Sequence, residues 1–188
     1  LSITYEYDLV GNRLAVEVEH GGATVYHVDN AYDAANRVVQ VTDSLSGQTV
    51  DRSYDAVGNV TEILFSGGAR TTYTYDENNR ATLVDNLDGQ GGILSCWTYV
   101  YDSVGNLVQA ARTAPLSSLT TSYTYDALDR LIREVYPRYT LEYQYDAADN
   151  RTGKDSPLGI VTYVYDAADQ LLSAGGATFA YDDNGNQI

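Results

Sequence analysis

Methionine is absent from the 188 residues, cysteine occurs once, and lysine and arginine together number 11 against 26 aspartates and glutamates. Each shortage excludes something. A formal net charge of −15 repels phosphate backbones and anionic lipid surfaces, so neither nucleic acid nor a membrane surface is expected as a partner. No apolar run approaches the roughly 18 residues of a helical membrane span, and "LSITYEYD" lacks the basic start and apolar middle of a signal peptide. A lone thiol, Cys96 in "LSCWTYV", forms no internal disulfide and reads as a small buried apolar residue rather than a nucleophile. With no initiator, and with both ends inside a repeated phrase ("TYEYDLVGN", "FAYDDNGNQI"), the sequence is expected to be an interval of a longer protein. A sustained helical period is missing throughout.

What is present is one phrase, written nine times. Tyr-Asp pairs stand at Tyr7–Asp8, Tyr32–Asp33, Tyr54–Asp55, Tyr75–Asp76, Tyr101–Asp102, Tyr125–Asp126, Tyr145–Asp146, Tyr165–Asp166 and Tyr181–Asp182, 16 to 26 residues apart. That spacing is typical of repeat architectures, and its scatter predicts loops of unequal length. Counting the tyrosine as first, the fifth residue is Gly11, Asn36, Gly58, Asn79, Gly105, Asp129, Asp149, Asp169 or Gly185. Only glycine, asparagine and aspartate occur there, the residues that most readily adopt the left-handed backbone conformation. An aspartate at the second position suits the start of a type I turn, because its carboxylate accepts amides further round the turn. Each phrase therefore predicts a hairpin corner with a bulge.

Flanking segments alternate as strands do. "TTYTYD" sets Tyr73 and Tyr75 against Thr72 and Thr74, and "RLAVEVEH" sets Leu14, Val16 and Val18 against Ala15, Glu17 and Glu19. Glycine-, proline- or serine-rich stretches such as "HGGA", "FSGGA", "DGQGG" and "DSPLG" turn the chain at the other end. The expected architecture is all-β, with about nine tandem antiparallel hairpin repeats over residues 1–188 and roughly 18 strands. A sheet that long is expected to curl or spiral rather than lie flat.

On these residues the sequence resembles the YD-repeat (RHS-repeat) family, whose phrase approximates Tyr-Asp-x-x-Gly followed by Asn or Arg. "YDLVGNRL", "YDAVGNVT" and "YDSVGNLV" match closely, while "YDALDRLI" and "YDAADQLL" carry Asp in place of Gly. The family includes bacterial RHS toxins, the shell subunits of Tc toxins, and teneurins. The resemblance implies a strip of hairpins spiralling into a hollow shell, no cofactor, and a secreted or cell-surface location. Its implied partners are neighbouring repeats or further copies, together with an encapsulated effector. An adhesive or self-assembling fibre with glycan-binding loops is the alternative.

Chemistry finds little support. The family's autoproteolytic element carries an Asp-Pro-x-Gly type phrase, but in "KDSPLGIV" Ser156 separates Asp155 from Pro157, and this stretch reads as a turn. Tyrosines repeated in nearly every copy read as sheet packing before they read as sugar platforms. "DNLDGQGG" at 85–92 and "DDNGN" at 182–186 lack the terminal bidentate glutamate of a calcium loop. His20 and His27 stand apart from any metal-type cluster, and the glycosylation patterns at Asn59 and Asn150 fall where the repeat already wants asparagine. No catalytic, cofactor or metal site is expected.

Overall fold

The computed structural model describes all residues, 1–188. Seventeen strands form, all paired antiparallel with sequence neighbours. They divide between two compact units, one of Leu1–Thr98 with Thr113–Ser117, the other of Tyr99–Arg112 with Ser118–Ile188.

In the first unit, β1 (Ser2–Tyr7), β2 (Arg13–His20), β3 (Ala23–Tyr32), β4 (Val38–Asp43), β5 (Gln48–Tyr54), β6 (Val60–Phe65), β7 (Arg70–Tyr75) and β8 (Ala81–Leu87) follow one another as a meander. Its last rung is β8 against the first residues of β9 (Ile93–Tyr101), with Leu83 opposite Thr98. The second unit takes up the end of β9, then β10 (Leu107–Ala114) as far as Arg112 and β11 (Ser117–Tyr125) from Ser118, followed by β12 (Leu131–Val135), β13 (Thr140–Tyr145), β14 (Arg151–Ser156), β15 (Gly159–Tyr165), β16 (Leu171–Ala174) and β17 (Ala177–Thr178). After β17 only a single bridge, Tyr181 to Gln187, remains. The ninth phrase thus makes its corner without a full hairpin, giving seventeen strands instead of the expected eighteen.

At the corners the register slips by one residue immediately before the phrase tyrosine, as at Glu6/Tyr7, Ser53/Tyr54, Thr124/Tyr125 and Gln144/Tyr145. This is the bulge expected of a type I turn closed by a left-handed residue, and it increases local twist.

Burial is shallow. Only Ala15, Val16, Thr121 and Gly153 are buried, and no side chain is wholly enclosed. Alternation is clean at the last three residues of β7, β11 and β13, where Tyr75, Tyr125 and Tyr145 are half-buried and Thr74, Thr124 and Gln144 exposed. Strand β2 departs from it. Ala15, expected on the polar face, is among the buried residues while Leu14 is 38% exposed. The methyl of Ala15 lies in register between Glu6 and Asp29 on the flanking strands, and the longer side chains there cover so small a group. Neither face of this strand is simply polar.

Candidate functional site

The nine corners lie at one end of the hairpins, and each is built from its aspartate outward. At the first, the amide of Asp8 donates to the carbonyl of Asn12 at 2.9 Å, closing the turn. Asp8 Oδ1 accepts the amides of Val10 (3.0 Å) and Asn12 (2.8 Å), and Oδ2 accepts the side-chain amide of Asn12 (2.8 Å). One carboxylate so satisfies three donors that a turn would otherwise leave to water. Arginine serves equally well at the sixth position: Asp33, Asp76 and Asp126 each hold the Nε of Arg37, Arg80 and Arg130 at 2.7 Å, in a two-pronged pair that also engages Nη2 at 2.7 Å.

The fifth residue is left-handed in all nine copies. The five with side chains, Asn36, Asn79, Asp129, Asp149 and Asp169, have φ between 59° and 69°, and Gly11, Gly58, Gly105 and Gly185 have φ of 95°, 102°, 109° and 81°. A β-branched residue would be strained there.

At Asp8, Asp33, Asp55, Asp76, Asp102, Asp126 and Asp182 these bonds hold the carboxyl below the usual carboxylate range. At Asp33, Asp76 and Asp126 the amide of the sixth residue is the largest cause. Desolvation is the largest single influence at Asp8, Asp55 and Asp102 and pushes upward, but the asparagine side chain and the turn amides together outweigh it. At Asp182 the Asn186 side chain leads.

Successive corners are then stapled together. Within each unit the hydroxyl of a phrase tyrosine donates to the carbonyl of the seventh residue of the preceding phrase. In the first unit Tyr32 reaches Arg13 (2.9 Å), Tyr54 reaches Val38 (2.6 Å) and Tyr75 reaches Val60 (2.8 Å). In the second, Tyr125 reaches Leu107 (3.0 Å), Tyr145 reaches Leu131 (2.9 Å), Tyr165 reaches Arg151 (3.1 Å) and Tyr181 reaches Leu171 (3.1 Å). Two of the sixth-position guanidiniums also lie over the next tyrosine ring, Arg37 at 4.4 Å from the Tyr54 centroid and Arg130 at 4.9 Å from that of Tyr145. Repetition of the tyrosine is thus explained by a hydroxyl bond between repeats as well as by ring packing. Alternation gave no signal for the bond, and the separation from each of these tyrosines to its acceptor varies from 10 to 19 residues.

Sequence candidates for chemistry resolve into structural roles. Cys96 is half-buried on β9 opposite Asp85, and a hydrogen bond to that carboxylate, then burial, pushes its thiol upward, which disfavours the thiolate. Asp155 lies on β14 opposite Ile160, and Pro157–Leu158 form the turn between Ser156 and Gly159. Asp88, in the first calcium-like stretch, spends Oδ1 on the amides of Gln90 and Gly92 (2.9 and 2.7 Å). In the second, Asp182 accepts the amides of Asn184 and Asn186, both at 2.9 Å. His27 Nε2 sits 3.3 Å from Asp29 Oδ1, and His20 is exposed at the end of β2.

Three features had no sequence signal. The turn at 88–92 rests on the turn at 65–69, so closely that a side chain at Gly89 would meet the Gly67 carbonyl at 2.7 Å. Glu134 on β12 accepts the hydroxyls of Tyr136 and Tyr143, each at 2.6 Å. A hollow of about 380 Å³ opens between the 136–139 and 156–159 turns, lined by Tyr139, Leu141, Lys154, Ser156, Pro157 and Leu158. All three depend on which turn lands beside which.

Fold and corners together define an antiparallel hairpin-repeat protein whose repeats are joined by tyrosine and aspartate. The Teneurin YD-shell model matches it twice, over residues 1–94 and 93–188; the chain belongs to the Teneurin YD-shell family. It is 29% identical over 128 residues to double-stranded DNA deaminase toxin A of Burkholderia cenocepacia (strain H111), an alignment that takes in 68% of this chain and 8% of that protein. Among solved structures it resembles TcdB2-TccC3 without its hypervariable C-terminal region (TM-score 0.55, 16% identity, 96% of this chain and 14% of that one). TcdB2-TccC3-Cdc42 is similar at a TM-score of 0.53 and 16% identity, over 96% of this chain and 14% of that one. The chain therefore spans well under a fifth of the length of the proteins it matches.

Proposed function

We propose that this stretch is a length of wall in a hollow shell or stalk, part of a secreted or surface-exposed bacterial protein of the kind that encloses an effector, and that it acts by geometry rather than by catalysis. The observation that carries this reading is the corner line: a carboxylate closes each turn, and a tyrosine staple ties it to the turn before it. Almost every polar group singled out by the repeat is committed to its own corner or to a neighbouring one, which is how a wall is built and leaves no nucleophile paired with a base. Membership of the YD-shell family supports the same reading, as does likeness in fold to the TcdB2-TccC3 structures. Shallow burial along the strands leaves the tyrosine face half-covered, as suits a surface that meets enclosed cargo or further repeats.

Electron cryomicroscopy of the natural full-length polypeptide is the test. Strands of this stretch are expected in the wall of an enclosed volume, with non-repeat segments inside resistant to added protease. An extended filament, open to protease along its whole length, would replace the shell with the adhesive fibre.

A further inference from the structure

The corners are not interchangeable. Within each unit the sixth residue reaches toward the corner that follows, and its length is matched to what it finds there. Asn12, Asn59, Asn106 and Asn150 use Nδ2 twice. One hydrogen goes to the aspartate of the residue's own corner, at 2.8, 2.9, 3.1 and 3.3 Å. The other goes to the side-chain oxygen of the next fifth residue: Asn36 (2.8 Å), Asn79 (2.9 Å), Asp129 (2.8 Å) and Asp169 (2.7 Å). Among the eight junctions, none sets asparagine before a glycine.

Where the next fifth residue is Gly58, Gly105 or Gly185, the sixth residue before it is Arg37, Arg80 or Gln170, each longer than asparagine. Arg37 Nη1 passes over Gly58, 3.9 Å from where a Cβ would stand, and donates to the backbone carbonyl of Asp55 at 3.3 Å. Gln170 Nε2 occupies the same kind of space, 3.2 Å from the Cβ position of Gly185. Arg130 does both: Nη1 donates to the Asp146 carbonyl at 2.9 Å and to Asp149 Oδ1 at 2.8 Å. Reach explains the asymmetry. An asparagine amide ends too close to its own backbone to use the next turn's carbonyl, so it needs a side-chain acceptor brought to it; arginine carries its donors to the backbone and tolerates either neighbour.

We propose that the sixth residue of one corner and the fifth residue of the next form a matched pair that selects which repeat stands beside which. The partner surface recognised by an asparagine corner is a YD-type hairpin with Asn or Asp at its left-handed position. A glycine hairpin is accepted only by a corner that presents arginine or glutamine. In an array of near-identical hairpins this pairing penalises slips that would seat the wrong repeat.

Site-resolved hydrogen exchange in the natural full-length protein tests the match. Asn79→Gly leaves Asn59 without its acceptor, and the amides of Asn78 and Arg80 are expected to exchange about fivefold faster, the effect of one lost hydrogen bond. Asp149→Gly makes the comparable change beside Arg130, whose bond to the Asp146 carbonyl survives, so the amides of Ala148 and Asn150 are expected to change less than about twofold. Adding Asn59→Arg to Asn79→Gly is expected to restore protection. Equal acceleration at the two sites, or a double variant no better protected than Asn79→Gly, overturns the proposal. Should Asn79→Gly fail to fold, Gly58→Asn opposite Arg37 decides instead: unchanged protection at Val57 and Asn59 supports the match, and a several-fold loss overturns it.

Discussion

At the scale of the residue, the left-handed fifth position and the carboxylate three residues before it are what the phrase encodes. Gly58→Val or Gly105→Val forces a β-branched side chain into φ above 100°, and is expected to cost more than about 1 kcal/mol. Thr74→Val, at an exposed strand position, should leave the melting temperature nearly unchanged; equal shifts for the two classes would reject the turn geometry. Seven corner aspartates, Asp126 among them, make a pH prediction whose sign follows from their depressed values. A carboxyl that titrates lower when folded stabilises the fold above its unfolded value, near pH 3.9, and that contribution fades as pH falls through the lower folded values. Acid unfolding is therefore expected below about pH 4, and Asp126→Asn, which removes the carboxylate of the Arg130 pair, is expected to flatten it. Melting curves from pH 7 downward, with and without the substitution, check both statements.

At the scale of the element, a hairpin is completed by its neighbour. Tyr125→Phe keeps the ring and deletes only the hydroxyl that reaches the Leu107 carbonyl, so the expected loss is about 1 kcal/mol, read in denaturant midpoint without a change of slope. Tyr143 offers a second readout. Burial, then the bond to Glu134, pushes its hydroxyl up to about 12. Because the folded value lies above the unfolded one, this neutral tyrosine stabilises the sheet fully below about pH 10, and the contribution is lost as pH rises through about 12. Glu134→Gln removes the neighbouring charge and is expected to lower the pH at which Tyr143 ionises, followed by tyrosinate absorbance. An unmoved titration would sever the link between Glu134 and this part of the sheet.

At the scale of the whole molecule, shallow burial makes the exposed strands sticky. β1 (Ser2–Tyr7) is exposed along its whole length, with Tyr5 and Tyr7 at 48% and 59%, and it carries neither proline nor lysine to discourage a further strand. Residues 1–188 produced alone are expected to self-associate, and Thr4→Lys is expected to suppress this. Light scattering that finds a monomer with or without the lysine would reject the expectation.

Much of this protein was legible because its message is local and repeated. The Tyr-Asp spacing, the restriction of the fifth residue to Gly, Asn or Asp, and the alternation in "TTYTYD" each depend on a few consecutive residues, so the all-β class, the hairpin corners and their bulges could be read directly. The strand count was short by one because Tyr181 is followed by too little alternation to sustain a ladder. Ala15 misled because a methyl group takes its burial from longer neighbours, Glu6 and Asp29, that belong to other strands. Only the tertiary structure decided which carbonyl each tyrosine hydroxyl meets, that Glu134 gathers Tyr136 and Tyr143, that Gly89 lies against Gly67, and that Asn59 looks for Asn79 while Arg37 passes over Gly58. All but the bond from Tyr136 to Glu134 join residues from different strands or turns. A sequence fixes turn chemistry through bonds along the chain, whereas contacts between repeats exist only once strand register has set the turns side by side.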